Sequence, residues 1–217
     1  MYVLLDIIVW QYTNSSPSSS IIEDLDAERA AGLAFVVYYY FDFRDANKQH
    51  RSGLLSSLLL QLASESDPCY EILSRLHEAH ARGARTPNDL ALMRCLKDML
   101  EQHRQATYII IDAIDECPNS SGFPTPREKV LEFVEGLLDL QLPHLRICIA
   151  SRPEDGIRKT LEPLTSLRVS LHEESGQRKD ILDYVTKVVR TDKRMRQWRE
   201  EDKLLVIRIL AEKSEGM

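Results

Sequence analysis

Runs of apolar residues alternate with amphipathic stretches along most of the chain. Leu33 to Phe41, LAFVVYYYF, is almost continuously hydrophobic and rich in β-branched and aromatic residues, the pattern of a strand buried on both faces. Thr107 to Ile111 and Leu145 to Ala150 are shorter runs of the same kind; the first ends in Asp112, the second in Ser151-Arg152-Pro153. Between them, Arg127 to Leu140 turns Val130, Leu131, Phe133, Val134, Leu137 and Leu138 to one side at helical spacing. Strand, helix, strand in that order predicts a parallel sheet, because parallel neighbours need a crossover.

Helical spacing recurs elsewhere. A helix is expected from about Ser20 to Ala31, after the turn-forming run Thr13 to Ser20, whose serines can cap it. Arg51 to Ala63 carries Leu54, Leu55, Leu58, Leu59 and Leu62 on one stripe. Tyr70 to Ala81 and Leu90 to His103 follow, divided by Arg82 to Asn88 with its Gly83 and Pro87. Leu167 to Leu171 is a candidate fourth strand, and Gln177 to Arg190 and Asp202 to Lys213 are helical patterns. The last of these is apolar on more than one side and stops near Met217, so the chain is expected to have once continued. Met1 to Trp10 reads as a strand or irregular leader, too short to span a bilayer and without the basic start of a signal peptide. No repeat of about 20–50 residues is visible, so no solenoid is contained in this chain. The expected organisation is a leader over 1–19, an α/β core over 20–172 and the beginning of a helical subdomain over 173–217.

Composition narrows the partners. Hydrophobic residues at 43% and charged residues at 29% describe an ordinary globular chain and argue against disorder or stable membrane insertion. A net charge of −6 supplies no field for a phosphate backbone, so nucleic acid is not an expected partner. The local basic cluster Arg190, Lys193, Arg194, Arg196 and Arg199 reads as a solvated face, with a docking surface as the alternative. Cys69, Cys95, Cys117 and Cys148 are unevenly spaced with no CxxC pair, which fits a reducing, cytoplasmic setting. His77 and His80 share a helix face, but lack the neighbours of a metal site.

Ligands of open parallel sheets sit outside the carboxyl ends of the strands. There the chain places YIIIDAIDE, which delivers Asp112, Asp115 and Glu116 within five positions, and then Arg152 one strand later. Asp112 can hold a hydrated Mg²⁺. Glu116 can orient or deprotonate a water, and Asp115 can assist the metal or cap the turn Cys117-Pro118-Asn119. The bland alternative is a set of acids solvating a loop, with Arg152 as an ordinary ion-pair partner; beside Asp112 it could instead contact a γ-phosphate.

YIIIDAIDEC, the later RICIASRPE, and the earlier YYYFDFRD with HRSGLLSSLLLQL together resemble the NACHT group of STAND P-loop NTPases, most closely the nephrocystin-3-like N-terminal domain of fungal NACHT proteins with ankyrin or WD repeats. The resemblance runs from about Ser20 to Met217. It implies a parallel-sheet P-loop NTPase core followed by the start of a helical lid, a signalling role, Mg²⁺ and ATP or GTP as cofactors, and protein partners or self-association. By position it implies Asp112 as the metal-binding aspartate, Asp115 and Glu116 as the acidic pair supplying the catalytic residue, and Arg152 as the sensor arginine; the loop ending in Asp42, Phe43, Arg44 and Asp45 is expected to be structural. The departure is at the front: GxxxxGK(S/T), whose glycine amides cradle phosphates and whose lysine neutralises them, is missing. The first glycine is Gly32 and the first lysine Lys48; SSPSSS stands where the loop belongs. The core is therefore expected to be incomplete, to bind nucleotide weakly and not to hydrolyse it alone. A non-catalytic interaction scaffold and an incomplete gene model are the alternatives.

Overall fold

The computed structural model describes residues 7–11, 17–102, 104–120, 122–152, 154–170, 182, 185–192, 195 and 198–213. Its centre is a five-stranded sheet made of β1 (Ile7–Gln11), β2 (Ala34–Tyr40), β3 (Ala106–Asp112), β4 (Leu145–Ser151) and β5 (Leu167–Ser170), in the order β2-β3-β4-β1-β5. β2, β3 and β4 pair in parallel, with Tyr40 level with Asp112 and Asp112 level with Ala150. Of the apolar run at the front, Ile7–Trp10 belongs to a strand inside the sheet, the first of the two alternatives expected for it, and residues 1–6 lie outside the described residues.

The helices are α1 (Pro17–Ala30), α2 (Arg51–Glu65), α3 (Asp67–Ala79), α4 (Asp89–Gln102), α5 (Pro126–Leu138), α6 (Asp155–Leu161) and α7 (Glu200–Lys213). Because strand side chains alternate, β2 and β3 show different residues to the two sides. Val36 and Ile110, with Cys148 of β4, meet Ile21, Ile22 and Leu25 of α1. Val37, Tyr39, Ile109 and Ile111 face the other side, onto the leucine stripe of α2 and the inward residues of α4 and α5. Leu54, Leu55, Leu58 and Leu62 are fully buried there. α2 and α3 are separated by Ser66 alone, whose hydroxyl accepts from the Cys69 amide. Arg51 joins three helices, pairing with Asp89 at 2.9 Å and donating to the Lys129 carbonyl. α6 has no counterpart among the predicted elements.

The chain divides into two compact units, one formed by Met1–Trp10 and Ser16–Val169 and the other by Gln11–Ser15 and Ser170–Met217. In the second unit residues 185–191 are helical ahead of α7, with Val189 and Ile207 buried. The helix predicted from Gln177 lies outside the described residues up to 181, as do Lys193, Arg194 and Arg196 of the basic cluster. No helix among the described residues is long and apolar enough to cross a membrane.

Candidate functional site

Asp112 is the last residue of β3 and is 2% exposed. Alternation from Ile110 places it on the α1 side of the sheet. Tyr40, level with it on β2, shares a hydrogen bond with Ser19 in the first turn of α1; burial pushes the Tyr40 phenol above its usual range, and the negative field of Asp112 adds to the shift. One residue earlier, Ser18 is fully buried and its hydroxyl has no hydrogen-bond partner. The start of α1 thus lies against the strand tips that carry Asp112.

The chain then swings towards β4. Ala113 takes the left-handed conformation, φ 57°, which a residue with a Cβ adopts at a cost of about 1 kcal/mol. Its amide donates to the Ala150 carbonyl at 2.9 Å. This carries the short turn Ile114–Glu116 across the edge. Asp115 there accepts from the Ser151 hydroxyl at 3.2 Å and the Arg152 amide at 3.0 Å, and pairs with Arg152 Nε at 3.6 Å. Its side chain is 7% exposed, while that of Arg152 is 61% exposed. Glu116 accepts from the Phe43 amide at 3.1 Å, tying the turn to the loop after β2. In that loop Asp42 binds Arg44 through both carboxylate oxygens, which holds the Asp42 carboxyl down at about 2, the hydrogen bond to the guanidinium being the main cause.

Arg127 organises the whole edge from beneath. Its guanidinium is buried, donates to the Cys117 carbonyl at 3.0 Å and to the Asp115 carbonyl, and pairs with Glu154 ahead of α6. A single cation therefore joins the loops that follow β3 and β4. Asp115, Glu116, Arg127, Arg152 and Glu154 line a common recess of about 360 Å³; Asp112 does not line it. Of the residues singled out from sequence, Asp115 and Arg152 meet directly, Glu116 shares their recess, and Asp112 lies at the α1 side. Arg127, Ser151 and Glu154 were not legible: Arg127 looks like a solvated first-turn residue until the loops after β3 and β4 are folded over it.

A magnesium nucleotide brings several negative charges and needs a metal shell of oxygens and cations around its phosphates. Asp112 offers one buried carboxylate, and Ser18 and Ser19 offer hydroxyls. Asp115 and Glu116 are committed to amides and to Arg152, and among the described residues no group of three His, Cys, Asp or Glu is placed to hold a metal ion. No glycine or lysine occurs in the sequence between β1 and the first turn of α1. The residues present do not fit a magnesium nucleotide.

The parallel sheet and its acidic carboxyl edge define an α/β core of the P-loop NTPase kind. The chain belongs to the nephrocystin 3, N-terminal family, whose model matches residues 15–152. In fold it is similar to the Aeropyrum pernix ORC2 protein in its ADP form, with TM-score 0.52 and 14% identity over 98% of this chain and 53% of that one. It is also similar to Cdc6p from Pyrobaculum aerophilum, with TM-score 0.50 and 8% identity over 82% of this chain and 41% of that one. The Aeropyrum pernix ORC1 protein, in complex with DNA, matches with TM-score 0.47 and 14% identity over 82% of this chain and 42% of that one. The chain thus spans about half or less of each of these three solved proteins. No curated protein matches it in sequence.

Proposed function

We propose that this chain is a nucleotide-switch core of the NACHT type, from a cytoplasmic signalling protein, that does not hold ATP or GTP tightly by itself. The observation that carries this reading is the commitment of the edge acids: Asp115 to Ser151 and Arg152, and Glu116 to Phe43, with Ser18 buried and unpartnered where a phosphate loop would lead into α1. By family position Asp112 marks the metal site, Asp115 and Glu116 the catalytic pair, and Arg152 the phosphate-sensing arginine. In this chain the last three serve as a clasp between the loops after β2, β3 and β4. That clasp also supports the scaffold reading, in which the domain acts through protein partners or copies of itself. The net charge of −6 supports protein over nucleic-acid partners.

A thermal-shift titration tests the reading. A ligand at about 1,000 times its Kd stabilises a fold by roughly 4 kcal/mol, which moves the melting temperature by several degrees. With millimolar ATP and Mg²⁺ the expected shift is indistinguishable from that given by Mg²⁺ and an inert anion. A nucleotide-specific rise of several degrees would overturn the proposal.

A further inference from the structure

β2 ends the sheet on one side, so one row of its backbone groups faces away from β3. The Phe41 amide donates to the Asp112 carbonyl of β3 at 3.1 Å, which sets the phase: Phe41, Tyr39 and Val37 turn their backbone inward, while Tyr40, Tyr38, Val36 and Ala34 turn theirs outward. Ala34 to Tyr40, AFVVYYY, contains no charge, glycine or proline. An edge of that composition is a template for another strand.

Two side-chain devices occupy it. Gln61 of α2 lies against Tyr38 and meets both of its outward groups: the amide oxygen accepts from Tyr38 N at 3.0 Å and the amide nitrogen donates to Tyr38 O at 2.8 Å. A carboxamide is the one neutral side chain that reproduces the donor and acceptor pair of a neighbouring strand. Gln61 is itself fixed by a 3.0 Å bond to the Ser57 hydroxyl. At the start of the strand, Arg29 of α1 donates through Nε to Glu65 of α2 at 2.8 Å, and Nη2 meets the same oxygen. α1 and α2 cover opposite faces of the sheet, so this bridge passes around the edge, where Arg29 and Glu65 share a recess with Ala34 and Phe35.

We propose that the outer edge of β2 is a strand-addition site held shut by Gln61 and by the Arg29–Glu65 bridge, and that its occupant when open is β2 of a second copy of this chain. The strand is complementary to itself. Antiparallel pairing about a two-fold axis at Tyr38 sets Tyr38 against Tyr38 and Val36 against Tyr40, an aromatic and β-branched pair that favours the contact. Gln61 mimics that second strand at the centre of the pairing, so the domain is kept from joining through its sheet while other surfaces stay available.

Gln61→Met separates the hydrogen bonds from the shape, since it keeps the length of the side chain and removes the carboxamide. The expected result, with folding verified by circular dichroism, is concentration-dependent dimerisation in sedimentation velocity beyond that of the wild type. At low concentration the Tyr38 amide should exchange about five- to tenfold faster than in the wild type. Adding Tyr40→Pro removes an outward donor that β3 does not use, and should return the variant to wild-type sedimentation. A Gln61→Met chain no more associated than the wild type overturns the proposal, and so does association that survives Tyr40→Pro.

Discussion

Arg127 carries more of the edge geometry than any acid around it. Removing a buried cation leaves the Asp115 and Cys117 carbonyls without their donor and Glu154 without its partner, though Glu154 is half exposed and its share is screened. Arg127→Met should lower stability by about 2–4 kcal/mol, whereas Arg152→Ala, at an exposed pair, should cost less than about 1 kcal/mol. Urea unfolding of the two variants checks the ordering; equal losses would contradict the role given to Arg127. Two buried thiols report on packing, Cys117 beside Arg127 and Cys95 in α4. Burial pushes Cys117 and Cys95 from 9.0 up to about 11, with Arg127 opposing the shift at Cys117. The folded chain keeps these protons longer than the unfolded one, so their contribution to stability is complete below pH 9 and is lost as pH rises to about 11. Urea midpoints should fall across that window, and fall less steeply in Cys117→Ala. At this scale the sequence exposes Asp112, Asp115, Glu116 and Arg152, since acids and a cation ending hydrophobic strands are visible as pattern. It does not expose their partners, because Ser151, Glu154 and Arg127 acquire meaning only when separate loops meet.

Element boundaries follow local chemistry that is largely readable. α5 begins at Pro126 behind Thr125, whose hydroxyl accepts from the Glu128 amide while the Glu128 carboxylate accepts from the Thr125 amide, a reciprocal cap. Thr125→Ala should cost about 1 kcal/mol in urea unfolding. α1 begins at Pro17, earlier than the predicted Ser20, because proline suits a first helical position and places the serines inside the first turn instead of ahead of it. One consequence is the buried, unpartnered Ser18 hydroxyl. Ser18→Ala should therefore raise stability by about 1 kcal/mol, measured by thermal unfolding; a loss of that size would mean the hydroxyl is satisfied in solution. α6 escaped the sequence because seven residues with only Ile157 and Leu161 buried make too short a period to recognise.

The sheet order β2-β3-β4-β1-β5 is a property of the whole molecule. Hydrophobic runs and the intervening helix foretold parallel strands, yet nothing in Ile7–Gln11 alone says that this segment enters between β4 and β5. Once it does, β1 leads into α1, and the start of α1 comes to lie beside Asp112. The family match and the fold agree on what kind of core this is, and the proposal that it does not hold nucleotide tightly turns on the residues between β1 and α1. Titration of the folded chain with fluorescent ATP and Mg²⁺, beside Asp112→Ala, tests that proposal most directly. The account predicts no saturable binding up to millimolar ATP and no difference between the two proteins; micromolar binding that is lost in Asp112→Ala would contradict it.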